Sequence, residues 1–541
     1  MAISANFKNS IRNSKNSADK QTHASMAAFK FPFALSIALI ILSFVTRVQS
    51  SNPNLAWSFW GAAAALLLWQ AYLLFNSRSK NEDRVFSIQL RPQHYIQAMV
   101  QFSVYVYWGY YWRQVYDHAW LIVAQLLFAY TFDMLLAWSR RREYSLGFGP
   151  IPIIFSINLF LWFRDDWFYM QFVMIAVGFM GKEYVRWNRD GRSSHIFNPS
   201  AFALGLFSLV LIVTNTTSLT WGQEIASTLT LAPNIYTFLF LVGLIVMYFF
   251  SITLVASMAA ITLFAVSALY SASTGVPYFL DSDIPAAVFL GLHLLITDPS
   301  TSPRTALGKT LFGMLYGLGV FGLYTLLGAM GEPTFYDKLL VVPLLNLSVI
   351  AIDRTVRSIH SEALLNVWNE SWLGGRANLA HMSIWIIIFA SMSFLGKTDN
   401  KHQGDSLPFW EQACAGNLSN ACGRMLQLEA TYCADNAAWA CNEIGAHYRE
   451  GIITQSNQEL SMAYFSRGCE LKFRAACLNI LDTELVAREV PHELDLRLLL
   501  REGGQNLMTL SEQELYERAC EHDWVFACAR TGGAQSTRTQ I

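Results

Sequence analysis

Apolar runs of about 17–25 residues recur along the first four hundred positions, separated by short polar loops. That is the length a helix needs to cross a bilayer. The runs fall at about 31–48, 56–75, 96–112, 118–138, 148–163, 166–181, 199–215, 236–250, 254–272, 283–297, 309–329, 336–352 and 378–396. The stretch GFGPIPIIFS at 147–156 carries two prolines and reads equally as a half-helix that does not span. Beyond about 405 the pattern changes to Ala, Glu, Arg and aromatic residues at helical spacing. The expected fold class is all-α: a polytopic bundle of about 12–13 spans followed by an α-solenoid of short helix pairs. Three segments follow: a basic N-terminal stretch over 1–30, a transmembrane domain over 31–397 and a soluble repeat domain over 405–541.

Composition agrees. Of 541 residues, 53% are hydrophobic and 14% charged, against about 25% charged in soluble domains. The net charge of −1 argues for no nucleic-acid partner. Lys and Arg gather in alternate loops: the N-terminus, 76–95, 139–147, 182–195, 298–309 and 354–377. The loops at 50–55 and 216–235 have none, and 273–283 carries only Asp281 and Asp283. Basic loops face the cytoplasm, so the N-terminus is expected inside and, after an odd number of spans, the repeat domain outside.

Cysteine usage gives the same answer independently. All eight cysteines lie in the tail, at one spacing used four times: Cys414 with Cys422, Cys433 with Cys441, Cys469 with Cys477, and Cys520 with Cys528. Along one helix, eight residues would separate the paired cysteines by about 12 Å, too far for a disulfide. The chain must therefore turn within each pair. Disulfides persist in oxidising compartments, which places the tail in the periplasm or outside the cell. No Cys-x-x-Cys pair or other zinc-ligand spacing occurs, so no metal site is expected.

Two polar segments interrupt the apolar pattern. One runs from His195 through Asn198-Pro199-Ser200 to Gly205. The other runs from Thr297-Asp298-Pro299-Ser300-Thr301 through Arg304-Thr305 to Gly308-Lys309. Asn or Asp before Pro is a helix-start signature, and exposed helix N-termini attract anions. Each segment therefore reads as a helix start, either an ordinary cap or half of a phosphate site. Read as a pair, they point to a central site between internal repeats. Asp133 and His293 are ionisable groups within apolar runs, hence either structural partners of neighbouring helices or site residues.

These motifs, with the glycine-rich run Gly313, Gly317, Gly319 and Gly322, resemble the NqrB/RnfD family of membrane electron-transport subunits. The stretch from about 180 to 355, including TWGQEIAST and FYDKLLVVPLLNLSVIAID, is most similar to the UnbU-type branch found with enediyne biosynthesis genes. The related core covers about 85–355. The resemblance implies two inverted five-helix repeats, bound flavin (FMN or riboflavin), redox partner subunits and a bacterial inner membrane. Some members hold flavin covalently through a Thr in a Ser-Gly-Ala-Thr motif. Here that motif is absent, and Thr228 in Ala-Ser-Thr is its nearest counterpart. The tail units, such as EQACAGNLSNACGRML, resemble cysteine-rich Sel1-like repeats, which implies an external protein partner. The functions open at this point are a flavin-linked electron-transport subunit, a small-molecule or ion transporter of the same fold, and a membrane-anchored interaction scaffold.

Overall fold

The computed structural model describes residues 27–80, 82–189, 191–280, 282–330, 332–358, 376–398, 402–434, 436–481, 491, 493–500, 507 and 510–531. The basic segment up to Met26, Asp281 and most of the 354–377 loop lie outside them. Among the described residues the fold is all-α apart from two small two-stranded sheets. By contacts the chain forms two compact units: residues 1–226, 239–259 and 290–382, and residues 227–238, 260–289 and 383–541.

Each of the thirteen apolar stretches carries a helix, but these differ in length. Two precede the core, α1 (Ala27–Leu42) and α2 (Pro53–Lys80). A first run of five follows: α3 (Pro92–Tyr111), α4 (Ala119–Arg140), α5 (Pro150–Asn158), α6 (Tyr169–Tyr184) and α7 (Pro199–Val213). Helix α8 (Gly222–Thr228) lies in the connecting loop. A second run of five comprises α9 (Ile235–Phe250), α10 (Thr253–Thr274), α11 (Ala286–Leu294), α12 (Ala306–Met330) and α13 (Asp337–Ser358). Helix α14 (Ala377–Phe394) leads to the tail. Six described helices are long and apolar enough to cross a membrane unaided, and a bent pair at 222–250 makes a seventh. The chain is a multi-pass membrane protein. The expectation of about thirteen full spans needs correction, because several stretches hold shorter helices.

In each run the third helix has only nine residues, about 14 Å of rise against a hydrocarbon core of about 30 Å. Helix α5 starts on Pro150 and ends where Asn158 turns its side-chain amide back onto the Ile154 carbonyl, 2.8 Å away. Helix α11 ends at Leu294, where the Leu295 amide closes the last turn on the Gly291 carbonyl at 2.8 Å, and the chain runs on without helix to Asp298-Pro299.

The basic loops meet at one end of the first unit. Arg141 pairs with Glu183 at 3.2 Å and Arg142 with Glu82 at 2.8 Å. Strand β1 (Val85–Ile88) pairs in parallel with β2 (Glu143–Leu146), and β3 (Arg186–Arg189) forms a hairpin with β4 (Arg192–His195). Gly191, with φ 77°, closes that hairpin in the left-handed conformation a tight turn requires. At this basic end α6 stops and α7 starts, whereas in the second run α12 starts and α13 stops there. The two runs are therefore inverted. Their fifth helices cross where Gly205 of α7 lies against Leu339 and Pro343 of α13, with no room for a side chain at Gly205.

The second unit contains the repeats: α15 (Leu407–Ala415), α16 (Ala421–Ala434), α17 (Ala438–Glu450), α18 (Gln458–Glu470), α19 (Arg474–Leu481), α20 (Glu493–Leu499), α21 (Glu512–Glu521) and α22 (Val525–Thr531). All four expected pairs of cysteines are disulfide-bonded. Cys414 bridges to Cys422, Cys433 to Cys441, Cys469 to Cys477, and Cys520 to Cys528. Each bridge crosses a helix–helix turn, with Cα atoms 4.6–4.7 Å apart, as the spacing argument requires. The turns use left-handed residues: Asn417, Asn436, Lys472 and Asp523. Trp410, Tyr432, Trp439 and Phe465 fill the core. The acidic loop before α11 belongs to this same core. Val276 is buried within it, and Asp283 pairs with Lys397 at 3.4 Å.

In intact cells, a membrane-impermeant maleimide should label the tail cysteines only after reduction. Labelling without reductant would contradict the bridges.

Candidate functional site

The polar motifs converge on the chain break that follows α11. Asn198 caps α7: its Oδ1 accepts from the amides of Ser200 (3.1 Å) and Ala201 (3.3 Å), with Pro199 in the first helical position. The other end of the same side chain donates to the Leu295 carbonyl at 3.1 Å. Asn346 of α13 completes the junction, accepting from the Asn198 amide (3.1 Å) and donating to the Thr301 carbonyl (3.2 Å). Arg189, at the end of β3, donates to the Ser302 carbonyl at 3.0 Å and pairs with Asp353. Asp353 also accepts from the Arg304 amide at 3.2 Å.

His195, Asp298 and Ser300 form a tight cluster beside this junction. The Ser300 hydroxyl lies 2.8 Å from His195 Nε2 and donates to Asp298 Oδ1 at 2.6 Å. His195 Nε2 is 3.5 Å from Asp298 Oδ2. Both contacts use the same imidazole nitrogen, so this is not a relay in which one nitrogen takes a proton while the other is oriented by a carboxylate. Burial opposes the charge of Asp298, but hydrogen bonds from His195 and Ser300 outweigh it and hold the carboxyl below its ordinary value.

The second motif departs from the helix-start reading. The helix begins at Ala306, and its cap is Thr305, whose hydroxyl accepts from the Gly308 amide at 3.1 Å. Residues 298–302 instead form local turns. Ser302 and Thr301 donate to the Asp298 carbonyl, at 2.8 and 3.4 Å, as short hydroxyl side chains near prolines tend to do. Nor are the two motifs repeat equivalents. The first opens the fifth helix of its run, while the second links the third and fourth helices of the other run. They adjoin because the runs are inverted.

The remaining expected residues have diverse settings. Thr297 donates to the His293 carbonyl at 2.8 Å. Lys309 reaches away to the Ser251 carbonyl at 3.0 Å and holds the α9–α10 turn. Asp133 accepts from Tyr144 at 3.1 Å and lies 3.9 Å from Lys182 at the basic end, a structural pairing. His293 is fully buried against Gly243 of α9. Thr228 lies in the second compact unit, at the end of α8.

At the other break, after α5, sequence reasoning missed most of the polar residues. Asn158, Gln125, Gln171 and His118 form a buried hydrogen-bonded network, and Gln171 Oε1 accepts from the Phe163 amide at 3.1 Å. Trp162 stacks on His118 with ring centroids 4.0 Å apart and on Trp112 at 5.4 Å. Trp162 and Trp112 therefore belong to an internal column rather than to a lipid-facing belt, while Trp57 and Trp120 remain exposed as a belt requires. A buried pair, Asp337 and Lys338, opens α13 near this end. The stretch FYDKLL held the signal: two charges beside an apolar run.

A flavin phosphate does not fit the α7 start, because Asn198 already occupies the amides that would bind it. Among the described residues no cluster of three metal-ligating side chains occurs. No protein-family model, curated protein or solved structure matches the chain.

Asn198→Ala should destabilise the bundle by about 1–3 kcal/mol, from loss of a cap and of the Leu295 partner, measured by thermal unfolding in detergent. Gly243→Ala should cost about 1–3 kcal/mol by driving a methyl into the His293 ring. Because the folded Asp298 carboxyl titrates low, its contribution is present above 3.8, its ordinary value, and is lost as pH falls through the folded value. The stability gap between wild type and Asp298→Asn should therefore close on acidification; a gap independent of pH would contradict the assignment.

Proposed function

We propose that this protein is a membrane subunit of a flavin-linked electron-transport system, related to the NqrB/RnfD subunits, with an external repeat domain that docks a protein partner. The observation that carries this reading is the inverted pair of five-helix runs with a broken third helix in each. That architecture is what the motif resemblance implies. In this reading the basic end faces the cytoplasm of a bacterial inner membrane, and redox partner subunits approach there. The α7 cap is already filled, so flavin binds without a phosphate on that helix start, as riboflavin or through its ring.

A second reading, transport of a small solute or ion, is favoured by a specific observation. The junction's polar groups are spent on one another and on the broken backbone, and inverted repeats with interrupted helices also build transporters.

Absorption and fluorescence spectra of the detergent-purified protein decide between them. Flavin bands near stoichiometric amount, released by denaturation, are the expected result. A colourless protein, prepared with riboflavin and FMN supplied, would reject electron transport in favour of transport.

A further inference from the structure

The parallel pair β1–β2, at the basic end of the first unit, stops after two strands. Parallel sheets are normally built from more strands, with both faces covered, so a lone parallel pair has an edge left over. The register shows which edge it is. Val85 and Gln89 donate their amides to the carbonyls of Arg142 and Leu146, at 3.0 and 2.8 Å. Alternate residues of a strand direct their backbone groups to opposite sides. The amides and carbonyls of Phe86, Ile88 and Leu90 therefore point away from β2. Among the described residues no backbone group bonds to them there.

Sheet edges are usually blunted by charges, prolines or bulges. The run Val85-Phe86-Ser87-Ile88-Gln89-Leu90 has neither charge nor proline, and Val, Phe and Ile favour extended chain. Phe86, Ile88 and Leu90 alternate onto one face. Ile88 and Leu90 are 55% and 60% exposed, and Phe86 starts the row against Phe31 of α1, with ring centroids 6.2 Å apart. Hydrocarbon cannot cover this edge, because it leaves amides and carbonyls unsatisfied. A strand can, since it supplies both the hydrogen bonds and apolar neighbours. Charge then selects among strands. Arg91 is exposed just past β1, Arg142 is exposed beside its start, and the loops of this end are rich in Lys and Arg.

We propose that the free edge of β1 docks an extended segment of a partner protein as a third strand, one in which acidic residues alternate with apolar ones. Its backbone pairs with Phe86, Ile88 and Leu90. Its apolar side chains lie beside Ile88 and Leu90, and its carboxylates answer the basic loops. The inference requires only that the basic end meets water. It rests on neither flavin binding nor transport, and its failure would leave both readings standing.

The experiment follows backbone amide exchange, residue by residue, in the full-length protein in detergent. The probe is the peptide acetyl-Glu-Val-Glu-Val-Glu-Val-Glu-amide in large excess, set against its lysine counterpart. With the glutamate peptide, exchange at Phe86, Ile88 and Leu90 should slow about tenfold, the worth of one hydrogen bond each. The lysine peptide should change nothing. Ile88→Glu alters an exposed side chain and sets a like charge beside the edge, so it should abolish the slowing. No slowing with the glutamate peptide, equal slowing with the lysine peptide, or undiminished slowing in Ile88→Glu would overturn the proposal. Slow exchange at these three amides without peptide would also overturn it. If that protection rises with protein concentration, the edge belongs to a second copy; if not, this chain covers it itself.

Discussion

A helix that stops halfway through a bilayer leaves backbone amides and carbonyls with no water to bind, and the rest of this structure follows from answering that need. Two helices stop this way, α5 and α11. After α5, Gln171 receives the Phe163 amide and Trp221 donates its own amide to the Trp162 carbonyl at 2.8 Å. After α11, Asn198, Asn346 and Arg189 donate to the carbonyls of Leu295, Thr301 and Ser302. The side chains come from the fourth and fifth helices, and from the hairpin between them. The side chains that serve the breaks thus tie neighbouring helices to one another. In a membrane, where helix association lacks the hydrophobic drive available in water, such bonds fix which helices meet.

That constraint changes what the two motifs mean. Taken as sequence they are twin helix starts poised for an anion. In the fold, one is a cap whose amide group also services the opposite break, and the other is the break itself, folded into turns. The same residues have both structural and chemical character, because a broken helix at membrane depth is tolerated only where protein covers it or a cavity is lined by it. His195, Asp298 and Ser300 stand at the margin of this junction and are partly exposed to the basic end.

Much of the fold was legible because bilayer thickness, loop charge and cysteine pairing each leave a periodic trace. The thirteen apolar stretches, the meeting of the basic loops and the four bridges, from Cys414–Cys422 to Cys520–Cys528, needed no knowledge of tertiary contacts. Helix lengths were not legible, since an apolar run looks the same whether it continues as helix or, as at 161–163, runs on without one. The motif pair was found for the right reason, polar groups amid apolar runs, but placed in the wrong symmetry. Shared Asx-Pro-Ser spacing suggested repeat equivalents, and nothing local distinguishes an N-cap at Asn198 from a turn at Asp298. Gln171 went unmarked because a single amide within an apolar helix carries no local pattern; only the break it serves gives it a role. Asp337–Lys338 escaped notice at a predicted span end, where exposed charges are ordinary, yet both are buried.

Inversion makes the two ends comparable, and the comparison is informative. Each end has a broken third helix and the start of a fifth helix. At the basic end the fifth helix begins with an amide, and the nearby charges, Arg189 and Asp353, are tied to backbone groups as well as to each other. At the other end it begins with Asp337, whose cation is the very next residue. Side-chain amides serve both breaks, and at the basic end the Arg189 guanidinium joins them. Each end thus holds a buried ion pair, Arg189 with Asp353 and Lys338 with Asp337, and such pairs seldom stabilise a protein more than neutral packing does. The symmetry of the helices accounts for the architecture, and the two fifth-helix starts, Asn198 at one end and Asp337 at the other, depart from it in their side chains.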